Sequence, residues 1–237
     1  NTFTLAVTPA PGQNFANTTP ITIRDNASAT NYPSTIEVTS MVGTVHRVLV
    51  TLDGIAHTAP ADIDVLLVSP GGQKVVLMSD VGGRTPVTGV RLRFDDTARS
   101  LSADTPLVTG TNAPTNVGAD DAFPSPAPAG PYAAALSAFV GSNPNGIWSL
   151  YVVDDTAGDA GQIALGWSLM IETAPTIAAA PTSITTTEDT TADVTLTIGD
   201  MTAPANTLEI LVASTNTALL PPGNVTFAGT GATRTAT

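Results

Sequence analysis

The sequence predicts an all-β protein whose larger part is a two-sheet sandwich or jelly roll. Three observations carry that prediction. Thr fills about one position in six, and the chain of 237 residues holds 20 Gly and 19 Pro. Such a mixture of β-branched residues and turn formers builds short strands and tight connections. Helical periodicity is nearly absent, whereas short apolar runs bounded by Gly, Pro, Asn and Asp recur along the chain. The acid is carried by 16 Asp against only 4 Glu. Glu favours helices, while Asp favours turns and caps.

The expected strands follow in order. Eight runs qualify: Ile21–Arg24, Ser34–Val38, Val45–Leu52, Ile63–Ser69, Lys74–Met78, Val90–Phe94, Ile147–Val153 and Ile163–Ile171. In the third run His46, Val48, Val50 and Leu52 share one face, the expected core side, and Val45, Arg47, Leu49 and Thr51 share the wetter one. Val65-Leu66-Leu67-Val68 is continuously apolar, the pattern of a central strand covered on both faces. The segment Asp95–Pro131 is rich in Thr, Asp, Asn and Pro and reads as an irregular excursion. Its end, FPSPAPAGP, lacks the ladder donors a central strand needs. The Ala-rich stretch Tyr132–Phe139 is the one candidate helical turn.

Composition shifts near residue 172. Residues 1–172 form the first expected domain, 173–181 (TAPTIAAAP) a linker, and 182–237 a second all-β segment. The second segment has expected strands at Ser183–Thr187, Asp193–Ile198, Leu208–Ser214 and Val225–Phe227. Immunoglobulin-class sandwiches need ~100 residues, so this segment is expected to be a partial one. No internal repeat relates the two halves.

Charge and chemistry exclude several functions. The formal net charge is −12, with one Lys and seven Arg, which opposes binding to a nucleic-acid backbone. The absence of Cys removes disulfides, zinc ribbons and thiol catalysis. No apolar run of transmembrane length occurs. Asn1 opens the sequence without a charged and apolar leader. Neither His46 nor His57 lies in a subtilisin-type motif, no Ser stands in a nucleophile motif, and no Gly-rich phosphate loop leads to Lys74. The expectation is a protein that is not an enzyme. His57 is expected to be a turn residue hydrogen-bonded to a neighbouring strand.

Asp residues at strand ends are the candidate site. Calcium takes six to eight oxygen ligands, which carboxylates and loop carbonyls supply together. Converging carboxylates repel one another unless a cation joins them. The candidate ligands are Asp62, Asp64, Asp80 and Asp121, followed by Asp154. Asp62 and Asp64 share a face if the strand has begun by then. Asp95-Asp96, Asp120 and Asp155 also lie at strand ends or in loops, and DTAGDAG (residues 155–161) does not meet the EF-hand pattern.

Two stretches carry a resemblance. DIDVLLVSPGGQ (residues 62–73) follows His57-Thr58, and NGIWSLYVVDDTAGDAGQIALGWSLMI occupies residues 145–171. The shared positions are Asp64, Ser69, Pro70 and Gly72; then Gly146, Trp148, Leu150, Val152 and Asp154; then Asp159, Gly161, Ile163, Trp167 and Leu169. This order resembles the P domain, or Homo B domain, of kexin- and furin-like subtilisin proteases, over roughly residues 20–172. The resemblance implies a jelly-roll-type β-sandwich. The tail resembles cadherin- or immunoglobulin-like repeats of bacterial surface proteins, so the full expectation adds a partial immunoglobulin/cadherin-like sandwich.

Three functions compete at this level. The first is a non-catalytic, calcium-binding module of a secreted or cell-surface bacterial protein, with a structural, adhesive or assembly role. Its partners would be other domains of its parent protein or neighbouring surface-protein copies. The second is the accessory P domain of a secreted subtilisin-like protease. The third is a carbohydrate-binding module, for which Trp148 and Trp167 are the stacking candidates, although their alternation with Leu150 and Leu169 reads as core.

Overall fold

The computed structural model describes residues 3–7, 12–118, 121–185, 187, 190–199, 208–218 and 220–237. It is an all-β protein that divides into two units, residues 13–171 and residues 1–12 with 172–237.

The larger unit is a sandwich of two sheets. One sheet contains β4 (Ser34–Val38), β6 (Ile63–Val68), β7 (Lys74–Ser79), β10 (Thr115–Asn116) and β11 (Gly146–Asp154), in the order β10-β7-β6-β11-β4. The other has β2 (Gln13–Asn17), β13 (Trp167–Thr173), β5 (Val45–His57), β12 (Gly161–Ile163) and β3 (Ile21–Ile23) in that order. To β5 this sheet adds β8 (Val87–Phe94), which in turn pairs with β9 (Gly110–Asn112).

Side-chain alternation decides what fills the sandwich. On β6, Ile63, Val65 and Leu67 join the main core, while Leu66 joins a second cluster with Val76, Tyr151, Val153 and Phe123. On β11, Trp148, Leu150 and Val152 face the main core, and Tyr151 and Val153 the second cluster. The five-stranded sheet is therefore buried on both faces: its inner face meets the other sheet, and its outer face is covered by Phe123 from the excursion and by Tyr132 just after it. Continuous apolar sequence in β6 follows from that double cover. Both Trp residues are core. Trp148 meets Phe139 edge-on at 5.0 Å and donates to the Pro144 carbonyl at 2.9 Å. Trp167 donates to Ser34 Oγ at 2.9 Å, a bond between the two sheets.

Several expectations change. The third run extends to His57, because a bulge at Gly54 (φ +79°) lets β5 continue past Leu52. The last run, Ile163–Ile171, is two strands separated by a turn at 164–166 with Gly166 at φ +72°. Tyr132–Phe139 yields only the 3-10 turn Leu136–Phe139. The excursion carries β9 and β10, both paired in parallel with their neighbours.

In the smaller unit, β14 (Thr176–Ala180), β15 (Val194–Gly199), β18 (Thr233–Ala236) and β17 (Phe227–Ala228) form one sheet in that order. The strand β1 (Phe3–Val7) pairs with β16 (Ile210–Ser214). Thus the stretch expected as a linker contains a strand, which pairs with β15 and turns Ile177 and Ala179 inward. Ser183–Ile184-Thr185 and Thr187 are not strand, and residue 186 lies outside the described residues. The core of this unit is Val194, Leu196, Ile198, Leu208 and Ala236.

Candidate functional site

Antiparallel pairing collects one set of strand ends. The C-termini of β5, β7 and β11 meet the N-termini of β6 and β12 at one end of the sandwich. Because β10 runs parallel to β7, residues after Asn116 return to that same end, where the Val117 N–H donates to the Ser79 carbonyl at 3.3 Å. The excursion thereby carries Asp121 toward Asp80. Asp62, Asp64, Asp80, Asp121, Asp154, Asp155 and Asp159 all belong to this end.

These acids divide by strand parity. Asp64 lies two residues before Leu66 and Asp155 two after Val153, so both follow the outer face of the five-stranded sheet. Asp64 is buried, and burial is the main reason its carboxyl is pushed up to about 8. Ser79 opposes the rise by hydrogen bonding, and the charges of Asp155, Asp121 and Asp80 add to it. Asp80 is exposed as a residue, and its carboxyl is raised by partial desolvation and then by Asp121 and Asp155. It adopts a left-handed conformation (φ +54°), which Asp tolerates better than most residues. Its Oδ2 lies 3.3 Å from where a Cβ on Gly118 would stand, so a larger residue there would crowd the carboxylate. Asp64, Asp80, Asp121 and Asp155 thus form one mutually repelling group.

Asp62 borders that group through Asp155. Strand β6 begins at Ile63, so Asp62 closes the 3-10 turn Pro60–Asp62 and does not share the strand face of Asp64. It is buried, and its carboxyl is raised first by that burial, against the pull of Arg84 and with the push of Asp159, Asp154 and Asp155. Arg84 Nη2 lies 3.6 Å from its Oδ1. Its backbone carbonyl accepts from Asp155 N–H at 3.1 Å, fixing the two chain segments together.

Asp154 continues the inner face of β11 and meets the opposite sheet. Its Oδ2 lies 3.0 Å from His57 Nε2, and both side chains are fully buried. His57 Nδ1 accepts from the Ala59 N–H at 3.2 Å. That acceptor role places the imidazole proton on Nε2, which donates to Asp154. Asp154 Oδ1 takes the N–H groups of Asn26 and Thr156, each at 3.2 Å. The carboxylate is committed to three donors. Sequence reasoning named Asp154; the charge that acts on Asp64 is that of its exposed neighbour Asp155, which also accepts the Thr156 hydroxyl at 3.2 Å. His57 matches its expected role as a residue bonded to another strand, although it ends β5 and the bond crosses between sheets. Gly161 permits this arrangement, because a Cβ there would stand 2.1 Å from the Ala56 carbonyl oxygen and 2.4 Å from His57 Cδ2.

Other Asp residues serve the fold. Asp95 and Asp96 lie toward the opposite end, next to the start of β5. Although burial raises its carboxyl, hydrogen bonds from Thr97 and from Arg47 at 2.6 Å hold Asp95 below the usual range. Asp96 accepts the N–H groups of Leu136 and Ser137 at 2.7 and 2.8 Å. Asp120 lies outside the described residues.

The donor set at the acidic end is all hard oxygen, which fits calcium. Two buried carboxylate oxygens, Asp62 Oδ2 and Asp121 Oδ2, have no hydrogen-bond partner among the described residues. Such orphaned acceptors are costly unless a donor or cation meets them. Among the described residues no three acidic or imidazole side chains stand ready-made around one point, so a cation would have to draw the carboxylates inward.

No family model matches the chain, and no curated protein does. Two solved structures are similar in part. One is the serine protease of Aeromonas sobria, 16% identical over 70% of this chain with a TM-score of 0.37. The other is the Aeromonas sobria serine protease in complex with its chaperone, 14% identical over 71% of this chain with a TM-score of 0.38. The chain spans 27% of the length of either of these.

Proposed function

We propose that residues 13–171 form a non-catalytic β-sandwich module that binds calcium at its acidic end, within a secreted or cell-surface bacterial protein. Its role is structural, adhesive or assembly-related. The observation that supports this reading is that strand pairing brings the chain segments carrying Asp64, Asp80, Asp121 and Asp155 to one end of the sandwich, with an orphaned buried oxygen on Asp121. A divalent cation converts their mutual repulsion into cross-linking of β6, β7, β11 and the excursion. Asp62 and Asp154, the other sequence-predicted ligands, flank this group; Asp154 supports it from the core side.

A melting series tests this. With millimolar calcium the midpoint is expected to rise relative to chelator, because a ligand specific to the folded state stabilises it. Identical midpoints would refute calcium binding.

A second reading is an accessory P domain for a subtilisin-like protease. It is favoured by the placement of the family-like residues: Asp64 at the strand entrance, Trp148 and Trp167 in the core, and Gly161 against His57. Recovery of a folded complex with a subtilisin-like catalytic domain would support it, and its failure in a two-component refolding assay would count against it. A sugar-stacking role loses its aromatic candidates, since Trp148 and Trp167 are 0% and 2% exposed.

A further inference from the structure

We propose that the buried His57–Asp154 hydrogen bond is a positioning device for the calcium site, holding the end of β11 so that Asp155 faces Asp64 and Asp80. The proposal rests on the calcium reading above and concerns two residues that do not touch the ion.

The geometry has three parts. His57 belongs to one sheet and Asp154 to the other, so their 3.0 Å bond is a clasp across the sandwich at its acidic end. Both ring nitrogens are used, Nδ1 as acceptor from Ala59 and Nε2–H as donor to Asp154. The ring therefore has one tautomer and one orientation. Asp154 in turn gathers the Asn26 and Thr156 N–H groups on its second oxygen. Those bonds grip the chain on both sides of Asp155, the Thr156 bond just beyond it and the Asp154 side chain just before it.

Parity turns this grip into aim. Consecutive residues of an extended chain point to opposite faces. With Asp154 locked inward to His57, Asp155 is turned to the outer face, where Asp64 lies. The Asp155 N–H bond to the Asp62 carbonyl fixes its depth. Without the clasp, Asp154 would be a buried carboxylate missing its side-chain donor. Its least costly escape is rotation of the strand end toward solvent, which would swing Asp155 away from the group. The bare Cα of Gly161 leaves room for the ring, since a Cβ there would stand 2.4 Å from His57 Cδ2.

The test uses the full chain, with calcium for affinity and terbium as a luminescent stand-in whose lifetimes in H2O and D2O count bound waters. His57→Leu is expected to weaken calcium binding by about 10- to 100-fold, the range for lost outer-sphere partners. It should also add at least one water to bound terbium, which a purely structural loss of stability would not do. His57→Gln, whose amide N–H can still donate to Asp154, should restore most of the affinity and the wild-type water count. Wild-type affinity and water count in His57→Leu would overturn the positioning role. Absence of calcium binding by the wild type would overturn the calcium reading and this inference with it. Should His57→Leu not fold, the wild type provides the measurement: the slowly exchanging His57 Nε2–H resonance should shift as calcium is added, with the midpoint of binding. A resonance unmoved at saturation would refute the coupling.

Discussion

Replacing Asp64 by Asn should stabilise the metal-free protein and abolish its response to calcium. Asp64 is buried among like charges, and its carboxyl is pushed up to about 8. In the unfolded chain it titrates near an ordinary ~3.9. The folded state thus retains a proton that the unfolded state has released. Stability attributable to this group is complete below pH ~4 and falls as the pH rises toward the folded value of about 8. At pH 7 the gap spans roughly three pH units, or at most about 4 kcal/mol at ~1.4 kcal/mol per unit. Asn has the shape of the neutral acid and carries no such penalty. In chelator at pH 7, Asp64→Asn should therefore unfold at higher urea than the wild type, and the difference should vanish near pH 4. For a domain of this size each kcal/mol moves Tm by ~2–4 °C, so a shift of order 10 °C is the upper expectation. Calcium should reverse the ranking, because the wild type gains a ligand that Asn does not replace. A metal-free variant less stable than wild type at pH 7, or a difference independent of pH, would refute the reasoning.

Three other outcomes follow from the fold. Gly161→Ala drives a methyl into the Ala56 carbonyl and the His57 ring and should cost about 3 kcal/mol or more in urea unfolding. Asp95→Asn weakens the acceptor for Arg47 and Thr97. It should cost about 1–3 kcal/mol at pH 7, and because the folded carboxyl is lowered, that cost should fade as the pH drops through its titration. Trp167→Phe keeps a six-membered aromatic ring but deletes the indole N–H and its bond to Ser34 between the sheets; a loss of about 1–3 kcal/mol is expected, read in chemical denaturation.

Local pattern made some of this architecture legible. Ser34–Val38 shows strict alternation and is strand over its full predicted length. The apolar run in β6 announced a central strand, because it is covered on both faces. Features set by distant pairing were hidden. TIAAA resembles a linker in composition, yet small side chains suffice when β15 lies beside them. The turn at 164–166 is masked by Ala and Leu within an apolar stretch. At the site, the residue types pointed to strand-end carboxylates, and Asp64, Asp80 and Asp121 lie at one end of the sandwich, where their charges act on one another, although no three acids gather around one point among the described residues. The phase at a strand end was not legible. Asp154 turns inward to a partner, His57, that lies 97 residues earlier in sequence and on the opposite sheet. Asp62 and Asp64 are two apart in sequence, yet the strand begins between them at Ile63.

The acidic end is proposed as a calcium site in which Asp64 keeps its proton at neutral pH when no ion is bound. Calorimetric titration of the full chain with calcium at pH 7, in two buffers of different ionisation enthalpy, tests it most directly. Saturable binding with release of about one proton is predicted, since the ion must displace the proton on Asp64. No binding heat in either buffer, or binding with no proton released, would contradict it.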